Sequence, residues 1–175
     1  MAVLGKRESN FEKTYPEDHI KVPQANYQAA IFGVFDRGLI SKKKYKSEDY
    51  EDVEVLTIGF EINKKDTKGN NLYLFKDCKV KNYCINIKGT ESGIYKIITA
   101  IFGHTKDDEI SKGIFDTNDL IGKNCLIFVK QEVNDDFSIK FSYVENVNPL
   151  MEGMKEFVPT YRNMVPLFSY KGKPQ

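Results

Sequence analysis

Ser92-Gly-Ile-Tyr-Lys-Ile-Ile-Thr-Ala-Ile-Phe-Gly103 is the stretch on which the fold turns, because here the hydrophobic period of the chain changes from two to that of a helix. Ile94, Ile97, Ile98, Ile101 and Phe102 follow the i, i+3, i+4, i+7, i+8 spacing of one buried stripe. Thr90 or Ser92 can cap its start, and Gly103 suits its end.

Upstream, the signals are those of strands. Tyr27 to Asp36 is rich in aromatic and β-branched residues, with Gly33 where a strand can bulge or bend. Asp52 to Asn63 alternates most clearly: Leu56, Ile58, Phe60 and Ile62 are predicted to face the core, with Val55, Thr57, Gly59 and Glu61 on the other side. A third strand is predicted at Val80 to Lys88, with Tyr83, Ile85 and Ile87 on one face and Asn82, Cys84, Asn86 and Lys88 on the other. The turn cluster Asp66-Thr-Lys-Gly-Asn-Asn71 makes the second and third strands a hairpin with a long loop, Lys64 to Lys79.

Downstream, His104 to Lys112 reads as a charged loop, and Asp116 caps a short helical turn that Gly122 ends. Lys123 to Glu132 and Phe137 to Val147 form a final hairpin around Asn134-Asp-Asp136. Three strands, one helix and two strands is the element order of an OB barrel. The expected fold is therefore mainly β: a five-stranded OB-fold barrel over residues 27–148, with one α-helix between strands three and four plugging its floor. An irregular N-terminal arm, 1–26, precedes it. A C-terminal tail, 149–175, follows, carrying Pro149, Pro159 and Pro166 and no clear period.

Composition fits one domain with a real core: 175 residues, 41% apolar and no tryptophan. A formal net charge of +1 excludes a polycation that coats nucleic acid indiscriminately, so a binding face must come from local clustering. The N-terminal apolar stretch is too short for a signal peptide, Ala2 is not the glycine that myristoylation needs, and no apolar run approaches the ~20 residues that span a bilayer. The expected location is the cytoplasm, with no membrane partner. Cys78, Cys84 and Cys125 match no paired-ligand zinc spacing, and their odd number argues against a disulfide framework. They are read as reduced, mostly strand-borne thiols.

Catalysis is not expected. Asp107-Asp-Glu109 and Asp135-Asp136 each lie in one turn-like segment, whereas two-metal chemistry gathers ligands from separate rigid elements. There is no phosphate-cradling glycine loop and no nucleophile elbow, so no cofactor is assigned. His104 reads as a helix C-terminal residue whose charge suits the dipole.

Two patches carry binding chemistry. Arg37, Lys42, Lys43, Lys44 and Lys46 surround Tyr45 in the predicted connection between the first two strands, a connection that flanks the ligand groove in OB folds. Lysines attract phosphates through counterion release, and a tyrosine face stacks on a base for ~1 to 3 kcal/mol. Glu48, Asp49, Glu51, Asp52 and Glu54 follow at once, which allows the run to pair with itself. The second patch interleaves Tyr73, Phe75, Lys76, Lys79 and Lys81 and leads into Asn82, Asn86 and Lys88, a stacking and phosphate-tracking surface unless Tyr73 and Phe75 pack under the loop. Phe137, beside Asp135 and Asp136, reads as structural because paired carboxylates repel phosphate.

Tyr27-Gln-Ala-Ala-Ile-Phe-Gly-Val-Phe-Asp-Arg-Gly38, Ile58-Gly-Phe-Glu-Ile62, Tyr83-Cys-Ile-Asn-Ile87, Phe115-Asp-Thr-Asn-Asp-Leu-Ile-Gly-Lys-Asn-Cys-Leu-Ile127 and Val144-Glu-Asn-Val-Asn-Pro-Leu150 together resemble small bacteriophage-encoded OB-fold proteins regarded as single-stranded DNA-binding proteins. The resemblance covers roughly Tyr27 to Leu150, and its most specific piece is Leu120 to Leu126 followed by a strand ending Asn-Pro-Leu. It implies largely sequence-independent binding of single-stranded DNA in phage replication or recombination, in the bacterial host cytoplasm. Replication or recombination proteins are the further partners it suggests, and the aromatic and basic tail leaves docking on a second copy of the chain open beside folding back or extending the nucleic-acid path. Where such proteins often carry a basic residue after the third strand, this chain has Glu91. The alternative is a phage accessory or virion module that uses an OB-like barrel for protein contacts and touches no nucleic acid.

Overall fold

The structure, a computed structural model, describes residues 21–44, 46–80 and 93–161. Its longest strands, β1 (Ala25–Lys43) and β2 (Tyr50–Lys65), coincide with the densest β-branched and aromatic runs. After them come β3 (Asn71–Lys79), helix α1 (Gly93–Phe102), short helix α2 (Asp107–Ser111), a 3-10 turn at Thr117–Leu120, β4 (Asn124–Val133) and β5 (Ile139–Asn148). The five strands form one antiparallel sheet in the order β3-β2-β1-β4-β5.

β1 serves two neighbours, as a strand with a glycine bend can. Ala25 to Ala30 pair with β4, and Ala29 to Lys43 pair with β2 across bulges at Ile31/Gly33 and Asp36/Gly38. One face of the sheet carries Ala29, Ile31, Val34, Leu56, Ile58, Phe60, Ile62, Leu72, Leu74, Cys78, Cys125, Ile127, Val129 and Val144 into a single core. Ile94, Tyr95, Ile97 and Ile98 of α1 close that core, and α1 touches β3, β4 and β5. The core face of β2 and the helix are thus as the periodicity predicts. Asp116 caps the 3-10 turn by accepting from the Asn118 N–H.

The sheet curls until its two edges approach each other, and Lys76 Nζ donates to the Val144 carbonyl at 2.8 Å across the seam. Among the described residues no ladder joins β3 to β5, so the sheet is open there.

Three expectations need correction. The third strand is Asn71–Lys79, within the segment expected to be a loop, and apart from Val80 the run expected to form it, Val80 to Lys88, lies outside the described residues. The long loop is instead a tight turn: Asp66 accepts from the Lys68 and Asn70 N–H groups, and the Asp66 N–H donates to the Asn70 carbonyl. Chain geometry then favours pairing at once, with Glu61 opposite Tyr73 and Thr57 opposite Asp77. Second, Arg37 to Lys43 belong to β1 rather than to a connection, because Ser41, Lys42 and Lys43 continue the ladder opposite Asp52, Glu51 and Tyr50. Third, the charged loop after α1 contains α2, which Lys106–Glu109 and Lys112–Asp108 ion pairs support.

The arm also reaches further into the fold than its polar sequence suggests. Ala25 and Asn26 are already in β1, and Val22 is fully buried, with its N–H and carbonyl both bonded to the Ser142 hydroxyl.

Candidate functional site

On the face of β1, β2 and β3 that points away from the core, the side chains alternate into rings and polar groups. Gly33 and Gly59 are cross-strand partners there, and the Phe35 and Phe32 rings lie over them. A Cβ on Gly59 would meet Phe32 Cζ at 2.5 Å, so only glycine admits this ring so close to the sheet. Phe75 of β3, the partner of Gly59 of β2, packs edge-to-face on Phe32, Phe35 and Tyr73 with ring centroids 5.5, 6.1 and 5.8 Å away. Tyr161 completes the cluster against Phe32 at 5.8 Å and Tyr73 at 5.6 Å. Phe32 is buried, whereas Phe35, Tyr73, Phe75 and Tyr161 are half-buried and reach the surface.

Tyr161 arrives from the segment after β5, which crosses the same face as a belt. The Lys155 carbonyl accepts from Gln28 on β1, and Phe157 exchanges two hydrogen bonds with Asn124 on β4. Farther on, Thr160 and Tyr161 reach Glu61 on β2, and the Tyr161 hydroxyl donates to the Asn71 carbonyl on β3. The expected irregular tail is therefore fastened to all of these strands as far as Tyr161, and residues 162–175 lie outside the described part.

Glu61 is the anchor. Its carboxylate, fully buried, accepts from Asn71 Nδ2 at 2.6 Å, Thr160 Oγ1 at 2.8 Å, and the Thr160 and Tyr161 N–H groups at 2.7 and 2.9 Å. Burial pushes this carboxyl upward, but the Tyr161 N–H, the Asn71 amide and both Thr160 donors outweigh it and hold the group below its ordinary value. Hydrogen bonds to a charged acceptor contribute ~1.5–3 kcal/mol each, which exceeds or matches the ~1–3 kcal/mol of one base stack. The belt is thus firmly seated. Burial, then the negative charge of Glu61, raises the Tyr161 phenol, so it stays protonated as a donor.

Beyond the rings, the face turns polar. Asp77 accepts from Arg37 at 3.1 and 3.2 Å and from the Thr57 hydroxyl at 2.7 Å. Arg37 is 3% exposed, so the expected phosphate contact is corrected to a buried ion pair, formed because its bulged strand aims the guanidinium back over β2 and β3. Lys76 is turned across the seam to β5, which removes it from the rim as well.

The β1–β2 hairpin then runs on past the last β3 pair, Val55 with Lys79, and carries Lys43, Lys44 and Lys46, while Lys79 stands at the end of β3 beside it. Lys43 pairs with Glu48 at 2.9 Å, and Lys79 pairs with Glu51 at 3.6 Å. Lys44 and Lys46 are exposed at the turn, where Lys44 pairs through its backbone with Asp49. Exposed pairs of this kind are worth ~0–1 kcal/mol, so a phosphate can exchange for the carboxylate. The side chain of Lys42, and Tyr45, Lys81, Asn82, Asn86 and Lys88 altogether, lie outside what the structure describes.

The acidic clusters are spent on local contacts: Asp107 meets His104 and Tyr95, while Asp136 accepts from Ser138. Among the described residues no group of three or more His, Cys, Asp or Glu is placed to hold a metal ion, and no helix is long and apolar enough to cross a membrane. The sequence reading found Tyr73 and Phe75 but not Phe32, Phe35, Glu61 or Tyr161 as parts of one site. The pairing of two strand glycines with nearby phenylalanines was the available signal for the first two.

Comparison with known protein families, curated proteins and solved structures returns no match for this chain.

Proposed function

We propose that this chain is an OB-fold, single-stranded DNA-binding protein of largely sequence-independent specificity, acting without catalysis in phage DNA replication or recombination in the host cytoplasm. The strand order β3-β2-β1-β4-β5, the helix between β3 and β4, and the approach of β3 to β5 are what a partly open OB barrel requires. The observation that carries the reading is the cluster of half-buried rings on β1 and β3, Phe35, Tyr73 and Phe75, on the face that OB folds use for oligonucleotides. Lys43, Lys44, Lys46 and Lys79 lie beyond its polar end, where phosphates of a strand stacked on the rings would pass. The resemblance of Tyr27 to Leu150 to phage single-strand binders supplies the phage setting.

The specific observation favouring a protein-interaction module instead is the pairing of Lys43 with Glu48 and Lys79 with Glu51, which balances the hairpin's charge. Fluorescence-polarisation titration of labelled oligo-dT at low and moderate salt separates the two. Binding that weakens steeply with salt supports the strand reading, and exchanging Lys42, Lys43, Lys44 and Lys46 for glutamine should flatten that dependence. No binding at low salt would sink it in favour of the module.

A further inference from the structure

We infer that Tyr161 is a base-stacking residue and that Glu61 is its positioning residue, an inference that rests on the single-strand reading and takes unpaired nucleobases as the ligand. Without the belt, the sheet offers rings from β1 and β3 only, and the row stops at Tyr73 opposite Glu61. Tyr161 extends it by one half-buried ring, edge-to-face on both Phe32 and Tyr73. That ring is not left to a loose segment. Two successive backbone N–H groups and a threonine hydroxyl are fixed on Glu61, and the phenol is fixed on the Asn71 carbonyl.

The choice of glutamate at this position follows from the donor count. A carboxylate accepts only, with lone pairs enough for all four donors that converge here, whereas a glutamine would set its NH2 against two of them. Bare, the same acid would stand beside the rings and repel phosphate; sealed under Thr160 and Tyr161 it has no exposed surface. A ligand that displaced the belt would therefore strip a buried carboxylate of its donors and uncover its charge in the binding face. The geometry favours a belt that stays and contributes its ring over one that competes with the strand.

The test titrates labelled oligo-dT against the unaltered full chain and the Tyr161→Leu, Tyr161→Phe and Glu61→Gln variants. Tyr161→Leu should weaken binding about tenfold, the loss of one stack, and Tyr161→Phe should restore most of it. Glu61→Gln should weaken binding in the parent yet change little in the Tyr161→Leu background, because it acts through that ring; a general structural role would weaken both. In parallel, photocrosslinking of iododeoxyuridine-substituted oligo-dT to the unaltered protein should place an adduct on Tyr161, which keeps the test valid if a variant folds poorly. Equal or tighter binding by Tyr161→Leu, or crosslinks that avoid Tyr161, overturns the inference alone. No binding by the unaltered protein overturns the single-strand reading and this inference with it.

Discussion

Replacing Gly59 with alanine tests whether the outer aromatic cluster is packed as a core or merely adsorbed on the sheet. The new methyl would sit 2.5 Å from Phe32 Cζ, 2.8 Å from Cε2 and 2.9 Å from Cε1, where carbon contacts relax at ~3.5–4.0 Å. Phe32 must then retreat by about 1 Å. Its ring is buried and flanked by Phe75 and Tyr161, so the retreat propagates into both neighbours. Overpacking of this kind costs ~1–3 kcal/mol, offset in part by the ~0.5–1 kcal/mol that alanine gains over glycine within a strand. The net expectation is a loss of about 1–2 kcal/mol, a fall in Tm of several degrees for a chain of this size. In a Phe32→Ala background the clash is gone, and Gly59→Ala should become neutral or stabilising by up to ~0.5–1 kcal/mol. Urea denaturation of the four proteins in the cycle, followed by circular dichroism, measures the coupling. A cost for Gly59→Ala that is the same with and without the Phe32 ring would refute the packing argument.

Two further outcomes follow from the titrating groups. Glu61 is held below its ordinary 4.5, so its contribution to stability is complete above that value and is lost as pH falls through the lower folded-state value. The stability gap between the unaltered protein and Glu61→Gln, measured by denaturation from pH 6 to pH 3, should therefore shrink towards acid, and a gap that does not change with pH contradicts the buried-anchor account. Burial pushes the Cys125 thiol up to about 12, and Cys78 is buried beside the same core, so both should resist alkylation in the native state at pH 8 and react once denatured. Rapid native labelling of Cys125, read by peptide mass spectrometry, would show that β4 opens locally.

What could be read from the sequence tracks where a single period runs unbroken. In β2 the alternation from Leu56 to Ile62 meets the core in every second residue, and in α1 the isoleucine stripe does the same. β3 escaped because Lys76 stands in its inward row between Leu74 and Cys78, its ammonium led out to the Val144 carbonyl. The cleaner alternation of Val80 to Lys88 drew the prediction instead. In β1 the two bulges change which face each residue meets, so Phe32 and Phe35 fall on the outer face although no constant period puts both there. The cations of Arg37 to Lys46 show the charge of the hairpin but not that Arg37 is taken by Asp77, 40 residues farther along the chain.

The belt lies beyond local reading altogether, because its partners are polar groups 33 to 127 residues away and it forms no repeat. One residue nevertheless pointed to it. Glu61 interrupts the otherwise weakly polar outer row of β2, between two residues that face the core, on a strand long enough to be central. A carboxylate in that setting either faces water or needs donors brought from elsewhere, since isolated burial of the charge is prohibitive. β1 and β3 flank β2 on both sides and supply only the Asn71 amide, so the remaining donors had to come from a segment crossing the face. The Thr160 and Tyr161 N–H groups and the Thr160 hydroxyl are those donors, and the ring they carry with them extends the aromatic cluster of β1 and β3 past Tyr73.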